Sequence, residues 1–162
     1  TQTSYSVTDV ANANLTNGRI TITETGSTPQ SISVDQSAAA LTGGLVVSAG
    51  STPTTVTVKG NNAANVTLVG TGANTITTGD GADTITVSGT GSTTINVGKG
   101  ADIVTGGSGD DNIVFASGDL GAGDDLAPWV LRTLFLTERS SRSLARRLLV
   151  FPRSLAARLQ VS

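Results

Sequence analysis

Thr78-Gly79-Asp80-Gly81-Ala82-Asp83-Thr84-Ile85-Thr86 and Val97-Gly98-Lys99-Gly100-Ala101-Asp102-Ile103-Val104-Thr105 repeat one nine-residue phrase, and Gly106-Gly107-Ser108-Gly109-Asp110-Asp111-Asn112-Ile113-Val114 repeats it again. Each sets a Gly-x-Gly turn, an Asp two residues on, and a large aliphatic two residues beyond that. Gly-x-Gly pairs recur at 70/72, 79/81, 89/91, 98/100 and 107/109, spaced 9, 10, 9 and 9 residues apart. Ile76, Ile85, Ile95, Val104 and Ile113 follow them at a constant offset, and Val66, Val56 and Val47 carry the series backward. The residue two further on is often apolar too: Leu68, Val87, Val97, Phe115. Alternation over three to five residues marks a short strand with one face buried. Strand, Gly turn and strand at a fixed period describe a β-solenoid, in which stacked neighbours supply the core that no single repeat can make.

Composition narrows what such a solenoid can do. The chain of 162 residues has no His, Cys or Met, only 3% aromatics, 20 Gly, 26 Thr and 17 Ser. Disulfides, zinc or haem ligation, thiol nucleophiles and Ser-His-Asp triads are thereby excluded. Any bound metal is a hard ion held by oxygen. Mean hydropathy of +0.10 separates the chain from an acidic disordered tail. The net charge of −2 hides a split. Residues 1–128 hold three basic groups (Arg19, Lys59, Lys99) against eleven acidic ones, −8, while residues 129–162 hold seven Arg against Glu138, +6. An ordered part at −8 repels phosphate, so nucleic acid is not an expected partner.

The nonapeptide resembles the calcium-binding repeat of the RTX (repeats-in-toxin, hemolysin-type) family, G-G-x-G-x-D-x-U-x with U a large aliphatic. Gly106–Val114 meets every specified position; the copies at 78 and 97 lack only the first Gly. Val69–Thr77 has Asn74, and Ser88–Asn96 has Thr93, where the Asp belongs; Gly121-Ala122-Gly123-Asp124-Asp125 is a last, irregular copy. Gly lets the backbone approach an ion so that carbonyls serve as ligands, and Asp adds a carboxylate to the six to eight oxygens that Ca²⁺ takes. The competing reading, Gly-Asp turns of an ordinary β-sandwich, does not account for the nine-residue register.

The resemblance implies an all-β parallel β-roll with calcium-binding Gly-Asp loops. In such rolls two nonapeptides make one turn, so loops alternate between two edges and repeat n shares an edge with n+2. The loops of Gly79, Asp80, Gly81 and Asp83 and of Gly98, Gly100 and Asp102 then lie together, with Asp83 and Asp102 forming the best site. Asp102 with Asp125, in the loop of Gly121 and Gly123, forms the next, and Asp80 or Asp124 contributes. Two or three ions are expected on that edge. The opposite edge, with Gly107, Gly109 and Asp111 but Asn74 and Thr93 in the other loops, is expected to be partly or wholly empty.

Three segments are expected. Residues 1–60 read as a β-rich N-terminal cap or degenerate solenoid turns: Tyr5–Thr8, Arg19–Thr23, Ser31–Val34 and Thr54–Val58 alternate, and Asn17-Gly18 signals a hairpin turn. Residues 61–128 are the calcium roll. Residues 129–162 form an Arg/Leu/Ser-rich tail in which Leu144, Leu148, Phe151, Leu155 and Leu159 fit short amphipathic helices broken at Pro152. The tail reads as a basic membrane- or polyanion-facing helix, as the position of a type I secretion signal, or as out-of-frame or vector-derived sequence. The Thr1-Gln2-Thr3 start, without an initiator Met, reads as a mature or trimmed N-terminus.

The function implied is a secreted, extracellular or cell-surface, calcium-stabilised structural protein, similar to Caulobacter-type surface-layer (S-layer) proteins and repetitive adhesins. It would self-associate through its β-rich surface into a lattice or filament and contact cell-surface polysaccharide. The alternatives are a C-terminal RTX accessory or secretion domain of a larger secreted enzyme, and a calcium-dependent ice-binding repeat suggested by Gly70-Thr71-Gly72 and Gly89-Thr90-Gly91. No catalytic residues are expected, since neither H-E-x-x-H nor G-x-S-x-G occurs and every clustered Asp has a calcium role.

Overall fold

A computed structural model describes residues 3–7, 18–24, 27–116, 119–120, 123–127, 131–136 and 158–161. The strands among them are, in chain order, β1 (Thr3–Val7), β2 (Arg19–Thr23), β3 (Gln30–Asp35), β4 (Gly44–Ser48), β5 (Thr54–Lys59), β6 (Asn65–Val69), β7 (Asn74–Thr77), β8 (Thr84–Ser88), β9 (Thr93–Asn96), β10 (Ile103–Thr105), β11 (Asp111–Phe115), β12 (Asp125–Ala127), β13 (Leu131–Leu136) and β14 (Arg158–Val161). Each is too short to bury a core alone, so each pairs with the strand one turn away. One sheet runs β1-β3-β5-β7-β9-β11-β13-β14 and the other β12-β10-β8-β6-β4-β2, and every described pair is parallel. From β1 to β13 successive strands alternate between the two sheets, whereas β13 and β14 are neighbours in one. The chain is a β-solenoid, all-β, with no helix among the described strands and loops.

The aliphatic at each repeat's fixed offset is the residue that stacks. Ile32, Val56, Ile76, Ile95 and Ile113 form one inward column in the first sheet. Leu45, Val66, Ile85 and Val104 form the facing column in the second, continued by the half-buried Ile20 and Leu126 at its ends. Val47, Leu68 and Val87 make a further row beside it. All the residues of these columns between Ile32 and Ile113 are at most 3% exposed. Burying a Val, Leu or Ile side chain contributes roughly 1.5–3 kcal/mol, which is how an aromatic-poor chain still makes a core. Outward positions carry hydroxyls and amides in register: Ser31, Thr55, Thr75, Thr94 and Asn112 in one ladder, Ser33, Thr57, Thr77 and Asn96 in the next.

The hairpin expected at Asn17-Gly18 is not formed. Gly18 does have φ +61°, yet the strand it leads into, β2, pairs in parallel with β4. Gly adopts a positive φ in turns of many kinds, so the signal marks a turn without fixing its type; Asn17 itself lies outside the described residues. The C-terminal segments Leu131–Leu136 and Arg158–Val161 are strands, not helical turns, and Leu159 pairs with Leu134. The edge of β11 offers a parallel template, and Thr133 and Phe135 are residues that favour a strand. Leu144, Leu148, Phe151, Pro152 and Leu155, on which the helical reading of the tail rests, lie outside the described residues.

Candidate metal centre

Loops stack at each edge with a spacing of about one turn. On the first edge lie the loops Gly60–Ala64, Gly79–Asp83, Gly98–Asp102 and the loop that ends at Asp124. On the second lie Gly50–Thr54, Gly70–Asn74, Gly89–Thr93 and Gly107–Asp111. The expected n, n+2 arrangement is present. Backbone approach is so close that a methyl group at Gly79 would overlap the Gly60 carbonyl oxygen, and one at Gly98 or Gly100 would overlap the Gly79 or Gly81 carbonyl. Gly98 also needs φ +74°, a conformation L side chains avoid. Gly107 and Gly109 stand in the same relation to Gly89 and Gly91 on the second edge.

The repeat Asp points inward at the loop-to-strand junction and caps the loop of the preceding turn. Asp83 Oδ1 accepts the Ala64 N–H at 2.8 Å, and Asp102 Oδ1 accepts the Asp83 N–H at 2.9 Å. On the other edge Asp111 Oδ1 accepts the Thr93 N–H at 3.0 Å, and Asn74 Oδ1 the Thr54 N–H at 3.2 Å. Asn74 thus does what Asp does with its first oxygen. The second oxygens differ: Asp83, Asp102 and Asp111 are at most 2% exposed, and the Oδ2 of each is buried without a donor. Thr78 stands beside Asp83, but its single proton is directed at the Val97 carbonyl 3.1 Å away.

A buried carboxylate with an unsatisfied oxygen is costly, and three in one fold need a cause. Burial pushes the Asp102 carboxyl up to about 6, and the neighbouring carboxylates of Asp83, Asp124 and Asp119 push the same way against the Asp83 N–H bond. Burial likewise lifts Asp111 to about 6, with Asp110 adding to it, and raises Asp83. A divalent cation would satisfy these oxygens and remove the repulsion. Among the described residues no group of three or more acidic side chains could hold an ion unaided. The shell must be completed by loop carbonyls, which the Gly-x-Gly turns bring to the edge, and a hard ion of high coordination number suits that donor set. The residues present therefore fit calcium.

These shifts set a pH dependence for the metal-free protein. With folded values near 6 and an ordinary Asp value of about 3.9, the folded state holds more protons than the unfolded one between those limits. Stability therefore falls as pH rises from 4 to 6. After discounting for water near the loops, the loss is about 1 kcal/mol for each carboxylate, a few degrees in Tm. Thermal melts of calcium-free protein should show a higher Tm at pH 4 than at pH 7, with calcium restoring the pH 7 value. A metal-free Tm that rises over that range would contradict this account of the loops.

Other site residues fall as follows. Asp80 is exposed and its carboxylate lies 3.4 Å from Lys99 Nζ, an ion pair of little energetic weight at the surface. Asp125 does not share the Asp102 register: it opens β12 opposite Ile103 and is exposed, while Asp124 Oδ1 accepts the Asp102 N–H at 2.8 Å. The interval from Asp102 to Asp124 is 22 residues where Asp83 to Asp102 is 19, so the last turn is three residues longer and Asp124, not Asp125, falls in the Asp102 register. Gly123 lies exposed beside Ala101, and Gly121 is outside the described residues. Residues that sequence reasoning missed close the N-terminal turns, on the first edge without charge. Gln36 Nε2 donates to the Asn62 carbonyl at 2.8 Å, Asn62 Nδ2 donates to the Gln36 carbonyl at 2.6 Å, and Gln36 Oε1 accepts the Leu41 N–H. On the opposite edge Thr54 Oγ1 donates to Glu24, whose oxygens lie 2.9 and 3.0 Å away.

Residues 60–88 and 87–119 match the family model of the RTX calcium-binding nonapeptide repeat (four copies). The match starts one loop before Val69, at Gly60, where Ala64 stands in the Asp register and Asn62 is bonded to Gln36. The chain thus carries RTX-type repeats, and repeats of this type bind calcium. No curated protein sequence and no solved structure matches the chain.

Proposed function

We propose that this chain, built on RTX calcium-binding repeats, is a secreted, cell-surface structural protein of the S-layer or adhesin kind whose C-terminal turns are locked by calcium. The observation that carries the reading is the stack of Asp83 and Asp102 in adjacent turns of one edge, each fully paired on Oδ1 and unpaired on a buried Oδ2. Extracellular calcium would fill that edge after export, and low calcium inside a cell would leave it open. Asp83 and Asp102 would hold one ion together with carbonyls of their Gly-x-Gly loops, and Asp111 would serve the second edge. Catalysis forms no part of the reading. The outward ladder of Ser31, Thr55, Thr75 and Thr94 suits repeated contact with a second copy or with polysaccharide hydroxyls, which is what a surface array requires.

Circular dichroism through a calcium titration, reversed with EDTA, tests the metal half of the reading. The β-signal and Tm should rise with calcium and fall on chelation, and indifference to calcium would sink it. Electron microscopy of the loaded protein tests the structural half. Lattices or filaments are expected; strict monomers would favour an accessory domain of a larger secreted enzyme.

A further inference from the structure

The second edge carries one repeat position through three successive turns with three different side chains, Asn74, Thr93 and Asp111. Asn74 pairs with Thr93 in the ladder, and the pairing of Thr94 with Asn112 sets Asp111 beside Thr93. All three are at most 3% exposed, and each holds one buried polar atom without a partner: Nδ2 of Asn74, Oγ1 of Thr93 and Oδ2 of Asp111. These atoms differ in what they can bind. Asn74 Oδ1 accepts the Thr54 N–H, so its unpaired group is the NH₂, which only donates. Thr93 Oγ1 offers lone pairs, and ionised Asp111 Oδ2 only accepts. The Asp111 carboxylate lies against Thr93, its Oδ1 taking the Thr93 N–H at 3.0 Å, so the two unpaired oxygens belong to groups already joined by one bond. Oδ2 stands where a Gly106 side chain would begin. The carbonyl oxygens of Gly89, Thr90 and Gly91 lie against Gly107 and Gly109 of the next loop.

Charge separates this edge from the first. In the adjacent turns of Asp83 and Asp102 two buried carboxylates lack a donor on Oδ2, which matches a doubly charged ion. In the adjacent turns of Thr93 and Asp111 there is one such carboxylate, and the other acid of that loop, Asp110, is exposed to water that screens it. A buried ion of charge two set against a single carboxylate keeps an uncompensated charge, which is costly away from water. Calcium affinity also falls as charged ligands are removed. An ion of charge one is balanced there, and hydroxyl and carbonyl oxygens are the neutral donors that suit alkali cations. We propose that Thr93 Oγ1 and Asp111 Oδ2, with carbonyls of the Gly89–Gly91 loop, form a site for a monovalent alkali cation, sodium or potassium. The NH₂ of Asn74, which repels a cation, ends the site on its N-terminal side. Asp111 thus serves the second edge with an ion of its own, and the site does not depend on calcium filling the first.

Thermal melts of the intact chain in saturating calcium test this, run at one ionic strength in sodium, potassium or tetramethylammonium chloride, the last cation being too large for the site. Tm should be a few degrees higher in sodium or potassium. Asp111→Asn keeps an oxygen for the Thr93 N–H, as Asn74 does for Thr54, and Thr93→Val keeps that N–H while removing Oγ1. Circular dichroism checks that both fold, and should one fail, the other decides. Both variants should lose the alkali-ion shift while calorimetric titration finds as many calcium ions bound as in the unaltered protein. Asp83→Asn should do the reverse, binding less calcium and keeping the shift. A calcium ion lost in Asp111→Asn, a Tm equal in all three salts, or a shift that survives in both variants would overturn the proposal. If the unaltered protein binds no calcium but shows an alkali-ion shift that Asp111→Asn removes, the calcium reading falls and this site stands.

Discussion

Chelation of calcium should unravel the C-terminal turns while the N-terminal ones keep their strands. The two halves of the solenoid are closed by different chemistry. From Gln36 to Asn62 the loops are bridged by neutral amides that satisfy each other at 2.6 and 2.8 Å and need no ion. From Asp83 to Asp124 they are bridged by carboxylates, of which Asp83 and Asp102 each bury an unpaired second oxygen and like charges bear on Asp102. Two ions at a hundred times their dissociation constants add roughly 5 kcal/mol, a sum comparable to the whole stability of many domains. Hydrogen exchange with and without EDTA should therefore show amides of β8–β11 losing protection by several orders of magnitude while those of β3–β5 change little. Uniform loss along the chain, or none, would contradict this division.

Gly79→Ala should be among the most damaging single substitutions. The added methyl would sit inside the contact radius of the Gly60 carbonyl oxygen. That oxygen belongs to the backbone of the turn below, so relief requires parting two turns whose strands are hydrogen-bonded. The expected cost is about 3 kcal/mol or more. Gly50→Ala is the control: nothing lies within 4 Å of its added carbon, and its cost should stay below about 0.5 kcal/mol. Denaturant midpoints in excess calcium give the comparison. Equal midpoints for the two variants would mean that the loops are not stacked as described.

The fold was legible because its signal is periodic. Every aliphatic placed by the fixed offset, from Val47 to Ile113, is buried, and the alternation around it marks strand faces correctly even where the Gly-x-Gly turns have been lost, as at Ser31–Val34. The stacking of Asp83 and Asp102 in adjacent turns was expected from the resemblance to RTX repeats, which sets two nonapeptides to a turn. What the period could not carry was anything that departs from it. Asp124 displaces Asp125 because one loop has a different length, and a repeat unit cannot announce where it will be interrupted. The Gln36–Asn62 bridge joins residues 26 apart with no shared motif, so only the stacked backbone brings them together. In the tail, Leu spacing read as helical gives way at Leu159 to pairing with β13, a tertiary influence that local pattern does not contain.

Because every strand pair is parallel and lies one turn from its neighbour, the ladder bonds run along the long axis of the roll. A molecule anchored at one end and pulled at the other would bear that load through its rungs in series, so rupture begins at a terminal turn and proceeds turn by turn. Each regular turn would pay out 19 residues, about 60 Å of extended chain. The solenoid would behave as a ratcheted extender under tension, with the bound ions setting which rungs hold longest.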